Sequence, residues 1–191
     1  MPAPQRVTTD ALAAAAREIA ERDGIDAVTV SAVAAAVGVR PPSLYKHVAH
    51  RHDLLRLAAD DAARELGADV ATVVGSSADP AVVLTGIAHA VRAFSVRAPR
   101  AAALLFSAPS PEAGPSASAL SPLIETLLAA VRTATAGDDP LPAARTLTAW
   151  VYGFCTMEQA GAFQLGGSVD EAFEFGLTTL VGALTGGPRG S

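Results

Sequence analysis

An all-α fold is predicted for this chain, and three observations predict it. Half of the 191 residues are hydrophobic but only 5% are aromatic, and alanine is abundant. That mix suits closely packed helices better than sheets. Apolar residues recur at three- and four-residue spacing along most of the chain, as one face of a helix requires. Capping residues, prolines and glycines then punctuate these runs, with Asp79-Pro80 and Asp139-Pro140 as the plainest start signals. The reading divides the chain into a three-helix unit over residues 1–50 and a larger helical domain over 51–191.

Residues 1–6 read as a loose arm carrying Pro2, Pro4 and Arg6. Thr8 or Thr9 caps a first helix to about Arg22, whose inner face is Leu12, Ala15, Ala16, Ile19 and Ala20; Asp23-Gly24 ends it. Thr29 caps a short helix that sets Val30, Val33, Ala34 and Val37 on one apolar face. Gly38 follows, the residue that enters a left-handed turn without steric cost. Arg40-Pro41-Pro42 opens the next helix, since a first turn has no partners for the N–H groups that proline lacks. In it Leu44 and Val48 face inward, leaving Ser43, Tyr45, Lys46 and His47 outward. Two short helices around a glycine turn, the second with a polar and basic face, describe a helix-turn-helix.

Charge supports this reading. From Gly38 to Arg56 stand Arg40, Lys46, Arg51 and Arg56 against Asp53 alone, a net of +3. Residues 57–191 carry seven Lys/Arg and thirteen Asp/Glu, a net of −6. The overall −5 therefore hides a basic region where phosphates would be met.

Thr29-Val30, Val33-Ala34, Val37-Gly38-Val39, Leu44-Tyr45, His47-Val48 and Asp53-Leu54-Leu55, at this spacing, resemble the DNA-binding domain of TetR-type transcriptional regulators. The resemblance covers about residues 7–56. It implies an all-helical homodimer, usually a repressor of a palindromic double-stranded DNA operator, with a divergent C-terminal domain for a small ligand. By it, Thr29, Tyr45 and His47 would meet backbone phosphates, and Arg40, Ser43 and Lys46 would lie near base edges or flanking phosphates. Arg51 adds charge at the same face. Two residues depart from the family pattern: His50 stands where a small cap is common, and Pro41-Pro42 removes two backbone donors. A ligand-independent regulator or activator of the same fold, and a helical protein-interaction module, remain the alternatives.

Beyond the three-helix unit, a long linking helix is expected over about 51–74, with Leu54, Leu55, Leu57, Ala58, Ala62 and Leu66 spaced for burial. Asp79-Pro80 starts a helix to about Arg97 that buries Val83, Leu84, Ile87, Val91 and Phe94; a short one spans Arg100 to Phe106. Residues 107–121, with Pro109, Pro111, Gly114, Pro115 and five serines, read as a loop. Ser121-Pro122 then opens a helix that Gly137 closes, and Asp139-Pro140 opens one to about Phe163. Ser168 and Glu171 form a capping box ahead of a stripe of Val169, Ala172, Phe173, Gly176, Leu177, Leu180, Val181 and Leu184. The tail from Gly186 reads as a loose end.

Trp150-Val151-Tyr152-Gly153 resembles a Trp-x-His-Gly element of one TetR-type subgroup, with tyrosine in place of histidine. In the family the last two helices pair with their copies in the dimer. The helices from Pro80 to Phe163 offer few polar groups, so a cavity among them suits a small, largely apolar ligand. His89, Arg92, Phe94, Thr126, Trp150, Tyr152 and Gln159 are its candidate contacts. No catalytic constellation, phosphate loop or cofactor motif is legible, and His47, His50 and His52 lack the Cys or acid partners of a metal set. Glu158 and Arg132 fall within apolar helices, each either a partly buried anchor or a surface residue. Cys155, the one cysteine, excludes an intrachain disulfide and reads as a buried small hydrophobe. No leader-like or membrane-spanning run is apparent, so a cytoplasmic setting is expected.

Overall fold

The structure, a computed structural model, describes residues 7–135 and 139–186. The arm expected at 1–6, Gly137 and the tail beyond Gly186 lie outside the described residues. Among the described residues the regular structure is helical, and the helices in chain order are α1 (Thr9–Asp23), α2 (Val30–Ala36), α3 (Pro41–Leu44), α4 (Arg51–Ser76), α5 (Pro80–Arg97), α6 (Pro99–Phe106), α7 (Ala117–Thr135), α8 (Leu141–Gln159) and α9 (Val169–Gly186). No single helix among them is long and apolar enough to cross a membrane.

Packing divides these helices into two compact units, and the division departs from chain order. The first unit takes the chain up to Glu65 together with Ala98–Leu120; the second takes Leu66–Arg97 and the chain from Ser121. A boundary at residue 50 therefore does not follow the packing, because α4 contributes to both units and α6 belongs with the first. Side-chain chemistry explains the attachment of α6. Glu21 on α1 accepts from the backbone N–H of Arg100 (3.1 Å) and Ala101 (2.7 Å), which caps the α6 N-terminus from another element. Asp60 on α4 likewise accepts from Ser116 N–H (2.6 Å) and its hydroxyl (3.0 Å).

In the first unit, Thr8 caps α1 by accepting from Ala11 N–H at 3.2 Å. Leu12, Ala16, Ile19 and Ala20 are buried as their spacing requires, with Ala13 buried and Ala15 half-buried. They form one core with Val28, Val33, Ala34, Leu44, Val48, Leu54 and Leu55, joined by Leu104 of α6 and Ala113. Each fully buried leucine or valine here contributes about 1.5–3 kcal/mol. A 3-10 turn at Ile25–Ala27, which the sequence reading missed, connects α1 to α2.

The second unit packs α5 against α8 and α9. Val83, Leu84, Ile87 and Phe94 are buried on α5, while Val91 is only half-buried. Two helix limits need correction. α7 begins at Ala117, not at Ser121-Pro122, because Ser116 receives Ala119 N–H (3.3 Å) and is itself fixed by Asp60. Pro122 thus lies inside the helix. α8 stops at Gln159, since Gly161 turns left-handed (φ 64°) and carries the chain away before Phe163. Of the stripe on α9 only Phe173, Leu177 and Val181 are buried; Ala172 is exposed and the remainder half-buried. Leu177 consequently fills its own protomer's core.

Candidate nucleic-acid interface

The turn between α2 and α3 is closed by two nested hydrogen bonds. Val39 N–H reaches the Ala34 carbonyl (2.9 Å) and Gly38 N–H the Ala35 carbonyl (3.2 Å), with Gly38 at φ 72°. This arrangement needs a residue at ease in the left-handed region, which is why glycine stands there. Thr29 starts α2 by accepting from Ala32 N–H at 3.1 Å, so its hydroxyl is already engaged while the residue itself remains exposed.

The second helix of the motif is shorter than expected. α3 holds only four residues, and Tyr45, Lys46 and His47 continue as a turn anchored by Val48 N–H to the Leu44 carbonyl (3.0 Å). Leu44 and Val48 are buried at 0% and 4%, so the inward pair is as the spacing requires. Pro41 and Pro42 occupy the first helical positions, with Pro42 exposed, and Ser43, Tyr45, Lys46 and His47 are exposed together. Tyr45 keeps 61% of its surface open. Arg40 is exposed, and among the described residues neither its side chain nor that of Lys46 has a hydrogen-bond or ion-pair partner.

Arg51 is placed differently. Its guanidinium donates to the carbonyls of Val28 (2.8 Å) and Ile25 (2.7 Å) and pairs with Asp26 (3.2 Å). It thereby holds the 3-10 turn that precedes α2, and its charge is spent on that junction. Asp53 secures the start of α4 by accepting from the N–H groups of Ala49 (2.8 Å) and His50 (2.9 Å). Burial pushes the Asp53 carboxyl up, but those two donors and the charges of His52 and Arg56 hold it below its ordinary value. Asp53 is legible in the sequence as a helix-start acid, whereas nothing local there marks the role of Arg51.

In the second unit the ligand candidates separate into groups. Arg92 donates to Glu158 (3.0 and 2.6 Å) and to Asp170 (2.6 Å), and lies 4.6 Å above the Phe173 ring. The Glu158 hydrogen bond leads in raising its affinity for the proton, and its Nε and Nη2 are engaged by the two carboxylates. Glu158 is thus the anchor of the two alternatives open to it, and Arg132 is a surface residue. Gln159 donates to the Ser95 carbonyl (2.7 Å), and Thr126 to the Pro122 carbonyl (2.8 Å). Trp150 stacks among Phe154 and Phe173 at centroid distances of 5.7 and 5.3 Å, and Phe173 also meets His89 at 5.7 Å. Phe94 is fully buried, Tyr152 half-buried, and His89 faces Glu174 at 3.4 Å. Cys155 is buried, and burial pushes its thiol up, as a small core hydrophobe requires. One recess of this unit, about 250 Å³, is lined by Val74, Pro80, Val83, Ala129, Ala130 and Thr133 and includes none of these candidates.

Comparison with known proteins gives these two regions a family. Residues 6–58 match the model of bacterial regulatory proteins of the tetR family, and residues 84–180 match a tetracyclin repressor-like C-terminal domain. No curated protein matches the chain. Among solved structures, BioQ from Mycobacterium smegmatis is 27% identical, with a TM-score of 0.72 over 95% of this chain and 100% of that one. BioQ with its double-stranded DNA operator is 25% identical, with a TM-score of 0.67 over 94% of this chain and 99% of that one. A TetR variant from Acinetobacter baumannii AYE in complex with minocycline is 24% identical, with a TM-score of 0.68 over 93% and 96% of the two chains. The chain belongs to the TetR family of helix-turn-helix, DNA-binding transcription regulators, whose members are not enzymes.

Proposed function

We propose that this regulator is a ligand-responsive repressor that binds a palindromic operator as a homodimer in the cytoplasm. The observation that carries the reading is the surface at Arg40, Ser43, Tyr45, Lys46 and His47, exposed beside a closed glycine turn, with two cations lacking partners. BioQ, similar in fold, has been solved with its operator, which supports DNA as the partner of this surface. Thr29, Pro41 and Pro42 border it, whereas Arg51 acts through the junction it holds.

Dimerisation through α8 and α9 is supported by apolar side chains left open there, Met157 at 50% and Phe175 at 76%. With Leu177 buried in its own protomer, Phe175 is the apolar side chain of α9 that such a seam would use. Engagement of Arg92 by two carboxylates supports an inducer without strong charge, since no cation remains to meet an anion at that point. An inducer would act by shifting α4 and the spacing of two recognition surfaces.

Genomic fragments retained by the purified protein test the whole reading. An inverted repeat is expected, its half-sites one helical turn of about 10 bp, or a multiple, apart. Retention without any enriched sequence would remove the repressor reading.

A further inference from the structure

The first turn of α4 carries two side chains that reach in opposite directions along the chain. Asp53 reaches the segment leaving α3, where its carboxylate accepts from Ala49 N–H (2.8 Å) and His50 N–H (2.9 Å). Arg51 reaches back 23 positions to the entry of α2. Its Nε donates to the Val28 carbonyl (2.8 Å) and its Nη2 to the Ile25 carbonyl (2.7 Å), with Asp26 Oδ1 3.2 Å from the same Nη2. These partners differ in what they can hold. The Asp26 side chain is fully exposed, so water screens its pair with Arg51. Val28 is wholly buried, and its carbonyl immediately precedes Thr29, whose hydroxyl caps α2. The Ile25 carbonyl already takes Val28 N–H (3.2 Å), so Arg51 completes a clasp on a turn closed upon itself. From Thr29 onward, α2 and the closed Gly38 turn carry that position to the exposed face of Ser43, Tyr45, Lys46 and His47.

We infer that Arg51 is a positioning residue for operator binding, which acts through the Val28 and Ile25 carbonyls and not through a phosphate. The inference rests on the proposed reading of the exposed face as a DNA interface. A guanidinium presents its donors as a rigid planar fork, and two neighbouring carbonyls accept that fork as one unit. Lysine carries the same charge as a compact ammonium on a flexible stem, so it keeps the electrostatics and loses the geometry. Side chains that read base edges depend on such supporting groups to hold them in place. Sequence-independent attraction to phosphates does not, because it follows from the number of cations at the surface. Loosening the clasp therefore costs preference for the operator and leaves affinity for unrelated DNA in place.

The test is fluorescence anisotropy of the full chain on a retained genomic fragment and on an unrelated duplex of equal length. Wild type, Arg51→Lys, Arg51→Gln and Asp26→Asn would be compared across salt concentrations, at a temperature where circular dichroism shows each one folded. Arg51→Lys is expected to lose about tenfold or more on the retained fragment, as loss of charge-assisted hydrogen bonds implies. Its affinity and salt slope on the unrelated duplex should be those of wild type. Arg51→Gln should lose at least as much preference, and Arg51→Lys carries the test if Arg51→Gln does not fold. Asp26→Asn should bind as wild type does. Full operator affinity in Arg51→Lys would overturn the inference, since charge alone would then suffice. Equal weakening of Arg51→Gln on both duplexes, with the log–log slope reduced by about one, would overturn it by placing a phosphate at Arg51. A loss in Asp26→Asn matching that in Arg51→Lys would assign the role to the ion pair instead. Each of these three results leaves the DNA reading standing, whereas absence of any retained fragment for wild type would sink both.

Discussion

The two units treat cations in opposite ways. In the first, Arg40 and Lys46 stand exposed, without partners among the described residues, beside a tightly closed turn. In the second, Arg92 is only 15% exposed and meets Glu158, Asp170 and the Phe173 ring. An unpaired cation on the surface costs little, because water solvates it, and it remains available to displace counterions from a phosphate backbone. A half-buried one must be neutralised, and here that neutralisation ties α5, α8 and α9 together. The difference separates charge left open at the surface, which we propose meets DNA, from charge used for assembly of the fold.

Several substitutions would break or sharpen this contrast. The largest effect is expected from Phe173→Ala, which empties the ring that touches His89, Trp150, Phe154 and Arg92. It should cost about 3–5 kcal/mol in chemical unfolding. Affinity of the surviving folded protein for DNA should change little, and a selective loss of DNA binding would mean that the core reports directly on the interface. Next comes Gly176→Ala. An added Cβ would sit 2.3 Å from Trp150 Cζ2, so the indole must move, at about 1–3 kcal/mol. An unchanged melting curve would show that Trp150 is not packed as described.

Gly38→Ala tests the turn instead of the core. Space is available for the methyl group, but φ at 72° is not, so about 1–2 kcal/mol should be lost through strain alone. The recognition surface should then be disturbed out of proportion to stability, with DNA affinity falling more than melting temperature does.

The smallest effect concerns acid. Asp53 is held below its ordinary value, so the folded chain binds that proton less readily than the unfolded chain. Its contribution is complete above the unfolded value of about 3.9 and is lost as pH falls through the lower folded value. Asp53→Asn should therefore flatten the pH dependence of stability below about pH 4, by a fraction of a kcal/mol. A parallel curve for the variant would place the acid sensitivity elsewhere.

What the sequence revealed follows from how local each cause is. Thr8, Thr29, Asp79 and Ser168 cap their own helices within two or three residues, so those starts were legible. Leu44 and Val48 inward with Ser43, Tyr45, Lys46 and His47 outward needed only helical phase, even though α3 proved to be a single turn. The start of α7 depends on Asp60, 56 positions earlier, and was hidden behind the conspicuous Ser121-Pro122. Capping of α6 by Glu21 spans 79 residues and explains why residues 98–120 join the first unit. Arg51 looked like one more interface cation because nothing local announces the carbonyls of Ile25 and Val28. On α9, periodicity identified Phe173, Leu177 and Val181, but a stripe cannot tell a protomer's core from a seam between copies.

The central claim is that the exposed face after the glycine turn reads DNA, and the salt dependence of binding tests it most directly. Affinity for a retained operator fragment would be measured across salt concentrations for wild type, Lys46→Ala and Tyr45→Phe, with helicity and melting as controls. Both variants should weaken binding while folding normally. If Lys46 meets a phosphate, all sequences weaken together and the log–log salt slope falls by about one. If it meets a guanine edge, the loss is about 1–3 kcal/mol and confined to one base pair. Wild-type affinity and slope in both variants would contradict the account and remove this face from the interface.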